Sequence, residues 1–206
     1  PADSAMVSTS LRELDGVGVR DALLECLLAP GVDVAVAEVV MPVLREVGEG
    51  WERGEMGVLH EHFVSSSFRG VLGEMLGPLS GQVSRTVVLA CPPGELHDLP
   101  LELFGAMLHA RSWRVVSSGA NTPMTAVADA VRILDADACV LAGVRRSVFE
   151  SRMPSLTRLG RCAPVFLAGQ GAVRLPEPPP MTVVLPPDLR AAADLVDEVA
   201  RESAAG

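Results

Sequence analysis

Thr86-Val87-Val88-Leu89-Ala90-Cys91-Pro92-Pro93-Gly94-Glu95-Leu96-His97-Asp98-Leu99-Pro100 is the stretch that decides the fold. Five apolar or β-branched residues run without polar alternation and stop at a Pro-Pro-Gly cluster. This is the pattern of a short strand buried on both faces and ended by a turn. The same rhythm recurs in Trp113-Arg114-Val115-Val116, Ala138-Cys139-Val140-Leu141-Ala142, Pro164-Val165-Phe166-Leu167 and Thr182-Val183-Val184-Leu185, with amphipathic segments between the runs. Five such strands joined by helical crossovers predict a parallel sheet covered on both sides. Ligands of such sheets bind beyond the carboxyl ends of the strands, and His97 stands on the loop after the first of them.

Upstream the period changes from strands to helices. Leu11, Leu14, Val19, Leu23 and Leu27 read as one helix, ended by Ala29-Pro30-Gly31. Val36, Val39, Val40, Val43 and Val47 carry a second stripe, in which Pro42 must end or kink a helix and most simply opens a third at its first turn. After Gly48, Gly50, Gly54 and Gly57, residues Leu59, Phe63, Val64, Phe68, Val71, Leu72, Met75 and Leu76 predict a fourth. The expected organisation is a four-helix bundle over 8–80, a linker over 77–84 and the sheet domain over 85–203. The proline-rich segment 176–180 reads as a rigid connector, and no internal repeat is evident.

Composition narrows the chemistry. With 206 residues, 49% of them hydrophobic, the chain can bury a sizeable core. A net charge of −9 opposes direct nucleic-acid binding, which draws on basic side chains to neutralise phosphates. All 17 basic residues are Arg, so Schiff-base lysine chemistry and a P-loop are excluded. Cys26, Cys91, Cys139 and Cys162 are too far apart for a short zinc or dithiol motif and read as buried apolar residues. The sequence shows no apolar run of spanning length and no leader pattern, so no membrane role is expected and the cytoplasm is the expected location.

One histidine on a loop is more often solvated than functional, but His97 has Glu95 and Asp98 beside it. A metal-ligating imidazole usually donates its second nitrogen to a carboxylate, and either acid would serve. Glu95-Leu96-His97-Asp98-Leu99-Pro100 resembles the D/E-x-H-x-x-G motif of cobalamin-binding proteins, in which the histidine is the lower axial ligand of cobalt. The second motif of that family, S-x-L, is matched by Cys139-Val140-Leu141 after 38 residues, and its G-G by Ala168-Gly169 after a further 26. Gly119-Ala120-Asn121-Thr122-Pro123 is similar to the segment that opens the helix after the family's second strand. The resemblance implies a flavodoxin-like cobalamin-binding domain. Its contacts would be Glu95, Leu96, His97, Asp98, Leu99, Thr122, Cys139, Leu141, Ala168 and Gly169, with His97 on cobalt. Pro100, Cys139 and Ala168 depart from the family's Gly, Ser and first Gly; the two small residues still allow close backbone approach, whereas Pro100 stiffens the loop.

Trp51, nine residues, and then Glu61-His62 resemble the W-x9-E-H signature of CarH/LitR-type adenosylcobalamin photoreceptors. By that resemblance the bundle caps the upper face of the cofactor, with Trp51 on the upper ligand and Glu61 and His62 bonded to it. Glu52 occupies the position where well-known members carry a histidine, which leaves His60 and His62 as substitutes for an upper cobalt ligand; His109 is expected on an exposed helix face. The resemblance implies a light sensor rather than an enzyme, in which photolysis of a cobalt–carbon bond moves the bundle and alters a homo-oligomer or partner interface. The output would come from a protein partner or from a DNA-binding domain outside these residues. The alternatives are a corrinoid methyl carrier, which would lack the tryptophan signature, a photocobilin pairing cobalamin with a bilin, and a plain flavodoxin-like binding domain.

Overall fold

Each of the five apolar runs forms a strand in the computed structural model of the chain, which describes residues 4–28, 31–54, 57–75 and 85–205. The strands are β1 (Arg85–Ala90), β2 (Trp113–Ser117), β3 (Ala138–Ala142), β4 (Val165–Ala168) and β5 (Thr182–Val184). All pair in parallel, in the order β2-β1-β3-β4-β5. The chain runs outward from β1 to β2, then crosses back past β1 to β3. That reversal opens a crevice at the carboxyl ends of β1 and β3, where the loops diverge.

Helices follow the strands: α6 (Leu99–Ala110), α7 (Met124–Ile133), α8 (Ser147–Glu150), α9 (Met153–Leu159), α10 (Gln170–Val173) and α11 (Leu189–Ala205). One sheet face presents Val88, Ala90, Cys139, Leu141, Val165 and Leu167 to Val127 and Val131 of α7, Phe149 of α8, and Leu156 and Leu159 of α9. On the other face α6 lies so close that a Cβ on Gly105 would stand 2.7 Å from Leu89 Cδ1. There the buried Trp113 donates its indole N–H to Asp197 Oδ1 at 2.7 Å, and the Arg85 guanidinium stands 5.6 Å from the ring centroid, which pins α11 to the amino ends of β1 and β2. With both faces covered, alternation would place polar groups in the core, so the runs are continuous.

The chain divides into two compact units, Pro1–Pro78 and Leu79–Gly206. The first contains α1 (Ser4–Arg12), α2 (Gly16–Leu28), α3 (Val32–Ala35), a π-helical turn (Val36–Val40), α4 (Met41–Glu52) and α5 (Val58–Met75). Val7, Leu11, Val19, Leu23, Val40, Val43, Val64, Phe68 and Val71 form its buried interior. Two guanidinium–carboxylate contacts tie the helices at the surface: Arg12 to Glu46, and Arg20 Nε and Nη2 to Glu74 at 2.9 and 2.8 Å. Exposed pairs of this kind contribute about 0–1 kcal/mol each, so the apolar interior carries the stability.

Three expectations need correction. The stripe from Leu11 to Leu27 is two helices, not one. Leu14 takes a left-handed φ of 56° and is exposed, and Asp15 Oδ1 accepts from the N–H groups of Val17 and Gly18, starting α2 afresh. Pro42 does lie in the first turn of α4, but the chain arrives there through the π turn with no break, so α3 and α4 form one continuous rod. A π turn widens the helix locally and suits a residue that lacks the donor. The linker expected over 77–84 lies outside the described residues.

Cysteine burial is the third point. Cys26, Cys91 and Cys139 are buried, whereas Cys162 is exposed after α9. Burial pushes the Cys139 thiol up to about 12, so at neutral pH it is neither ionised nor accessible. Treatment of the native protein with a thiol alkylating agent is expected to add one label, on Cys162, with the other three thiols reacting only after denaturation; intact-mass and peptide analysis check it.

Candidate functional site

β1 delivers the chain to the crevice, and residues 91–98 form its near wall without regular structure. Glu95 N–H donates to Pro92 O at 3.0 Å, closing a turn around Gly94, whose φ of 83° is readily reached only without a Cβ. The turn swings Glu95 inward, where it is only 2% exposed, while Leu96 and His97 face outward at 68% and 70%.

The Glu95 carboxylate is the junction of the site. Its Oε1 accepts from His97 N–H at 3.0 Å and from His97 Nδ1 at 2.6 Å, and its Oε2 accepts from Val144 N–H at 2.7 Å, on the loop after β3. Burial by itself would raise the Glu95 pKa, but the backbone donors of Val144 and His97 and the imidazole outweigh it and hold the group below its ordinary value. An ionised carboxylate on Nδ1 favours a proton on that nitrogen. Of the two acids offered by the sequence, Glu95 is the partner of the ring. Asp98 instead stands at the N-cap of α6, with Leu99 buried and Pro100 in the first helical turn, where a missing N–H costs nothing. The proline therefore falls after the loop has finished.

The loop after β2 closes the site from the other side. Cys91 N–H donates to Gly119 O, Thr122 N–H to Cys91 O and Asn121 N–H to Glu95 O, at 2.9, 2.8 and 2.8 Å. Thr122 is buried, its hydroxyl donating to Ser118 O at 2.9 Å. The Cys91 thiol is pushed up to about 12 by burial and by the neighbouring carboxylates of Asp98, Glu95 and Glu102, which makes it an inert part of the wall.

The second and third motif matches fall differently. Cys139 and Leu141 are fully buried in mid-β3 and face the interior packed by α7 and α9, not the crevice. The residues of β3 that do reach the edge are Ala142, Gly143 and Val144, where the small-x-aliphatic pattern recurs three residues later. The rule that ligands gather at strand ends would have selected them. Ala168 and Gly169 are at the edge: Gly143 N–H donates to Ala168 O at 3.0 Å, and a Cβ on Gly169, whose φ is 86°, would stand 2.7 Å from Gly143 O. Val144, 47% exposed, adds an apolar side chain to an edge that already carries Leu96.

In the helical unit, Trp51 lies on α4 and Glu61 on α5, but their side chains are outside the described residues. His62 is exposed on α5 and His60 is half-buried. His109, expected on an exposed face, is half-buried near the end of α6, a helix buried along most of its length.

The site thus presents one exposed imidazole with a buried carboxylate behind it. It stands at the carboxyl edge of a parallel sheet that follows a helical unit. In comparison with known proteins, residues 5–75 match the family described as B12 binding domain. The chain is homologous to the HTH-type transcriptional repressors CarH and CarA of Myxococcus xanthus. It is 36% identical to CarH over 160 residues, covering 75% of this chain and 53% of the repressor. It is 29% identical to CarA over 168 residues, covering 80% and 57%. The chain thus spans about half the length of these curated relatives. The monomethylamine corrinoid protein of Methanosarcina barkeri has the same fold, with a TM-score of 0.71 at 13% identity over 96% of this chain and 97% of that one.

The Glu95 junction gives a signed pH dependence. A carboxylate with a lowered folded pKa contributes stability that is present above its ordinary value of 4.5 and fades as pH falls through the lowered folded value. Glu95→Gln is therefore expected to be less stable than the native protein at neutral pH, by about 1–3 kcal/mol for the lost charged hydrogen bonds. The difference should narrow progressively below pH 4.5, and urea melts across that range check it.

Proposed function

We propose that this chain is the cobalamin-binding part of a light sensor, with His97 as the lower axial ligand and the helical unit covering the upper face. The observation that carries the reading is the His97–Glu95 pair, an exposed imidazole whose Nδ1 lies 2.6 Å from a buried carboxylate, on the loop after β1 of a chain homologous to CarH. Adenosylcobalamin is the corrinoid that the Trp51, Glu61, His62 spacing favours, and when bound it would supply a cobalt–carbon bond that light can break.

The protein's own residues would do the rest. His97 Nε2 would donate its lone pair to the metal, and Glu95 would hold the Nδ1 proton and raise the ring's basicity. Leu96, Leu99 and Val144 would give the edge its apolar contacts, and Gly169 and Ala168 would allow close backbone approach. Thr122 would brace the wall from the loop after β2. In the helical unit, Trp51 would shield the upper ligand from water, while Glu61 and His62 would hydrogen-bond to it. A helical unit that binds the intact and the cleaved cofactor with different affinity has two preferred positions, and that difference is what a homo-oligomer interface or an output partner would read.

The chain reconstituted with adenosylcobalamin in darkness and then illuminated is expected to change both its absorption spectrum and its elution volume. An unchanged spectrum after light would end the sensor reading and leave the methyl carrier, and bands beyond those of the corrinoid would mark an accompanying bilin. Glu95→Ala is expected to weaken corrinoid binding roughly 10- to 100-fold, the range for removing the outer partner of a metal-bound histidine. His97→Ala should remove the spectral signature of histidine ligation and weaken binding; equilibrium titration followed by absorbance checks both.

A further inference from the structure

The ring of His97 is 70% exposed and belongs to a loop with no regular structure, so something beyond Glu95 must fix where it points. The hydrogen bonds locate that restraint at Gly94. Its N–H donates to the side-chain oxygen of Asn121 at 2.8 Å, and its carbonyl accepts from Arg145 Nη2 at 2.7 Å. One glycine is thus gripped on both polar atoms by side chains from two different loops, those after β2 and β3. Asn121 holds the loop a second time, since its own N–H donates to Glu95 O at 2.8 Å. It does so with a φ of 52°, a left-handed conformation that Asn tolerates better than most residues. Arg145 directly follows Val144, whose N–H holds the Glu95 carboxylate, so one dipeptide fixes both the main chain at Gly94 and the acid beside it.

We propose that Asn121 and Arg145 are positioning residues for His97: they clasp Gly94 from two sides and thereby set the direction of the imidazole before any ligand arrives. This deepens the assignment of His97 as the metal ligand and rests on it. Neither residue needs to touch the metal. A guanidinium donating to a carbonyl is a charge-assisted bond, and preorganising the donor removes an ordering cost that binding would otherwise bear.

The test uses the full chain and two pairs of variants. Asn121→Gly keeps the left-handed backbone and loses the side chain, and Asn121→Asp restores an acceptor. Arg145→Met keeps the stem, and Arg145→Lys restores a cationic donor. In the ligand-free protein, amide hydrogen exchange at Gly94 and His97 is expected to accelerate about tenfold or more in Asn121→Gly and Arg145→Met, to recover in the Asp and Lys variants, and to stay unchanged along β1. With cob(II)alamin as probe and protein labelled with 15N-histidine, the histidine nitrogen coupling in the electron paramagnetic resonance spectrum should fall in the first two variants. Their dissociation constants should rise roughly tenfold, the lower end of outer-partner effects.

If the native protein shows no histidine coupling and matches His97→Ala, the ligand assignment falls and the proposal with it. If His97→Ala loses the coupling while Asn121→Gly and Arg145→Met retain it in full, with native exchange rates, the clasp alone is overturned.

Discussion

A buried carboxylate holds the site together. Glu95 is taken out of water between two loops, and such a charge is tolerated only where donors meet it. His97 N–H, His97 Nδ1 and Val144 N–H do so from opposite sides of the crevice. The acid therefore has two effects at once: it joins the loop after β1 to the loop after β3, and it engages Nδ1 of the imidazole. Loop closure and the setting of the imidazole are two results of one set of hydrogen bonds.

The placement of that acid follows from the sheet. Strand order β2-β1-β3-β4-β5 makes the loops after β1 and β3 part company at their carboxyl ends, and only there can a side chain from one reach the main chain of the other while both stay anchored. At the opposite edge, Trp113, Asp197 and Arg85 tie the last helix down. The two ends of the sheet are thus fastened differently, one by a last helix and the other by contacts between loops.

What could be read in the residue order, and what could not, divides along physical lines. All five strands were legible because burial on both faces produces continuous apolar runs, and His97 was legible because a turn cluster places it at a strand's end. The break at Leu14 was not, since one residue in a left-handed conformation leaves the apolar stripe looking uninterrupted. Cys139 and Leu141 were chosen by pattern at a position where the strand is still in the core, whereas the residues at its edge are Ala142, Gly143 and Val144. Gly94 was legible as part of a turn and Asn121 as part of a motif, but their meeting with Arg145 was not, because it depends on three loops coming together in space. The sequence offered Glu95 and Asp98 as equals beside the histidine; only the fold turns the first inward.

Much of the crevice wall is made of peptide groups rather than side chains: the N–H of Val144, both polar atoms of Cys91, and the carbonyls of Gly119 and Gly143. Peptide groups are the same whatever residue bears them. Side chains along this edge can therefore differ without altering those bonds, provided fixed points such as Gly169 keep the loops after β3 and β4 in touch. A fold held in this way tolerates wide change of sequence, as the monomethylamine corrinoid protein of Methanosarcina barkeri, which shares it at 13% identity, illustrates.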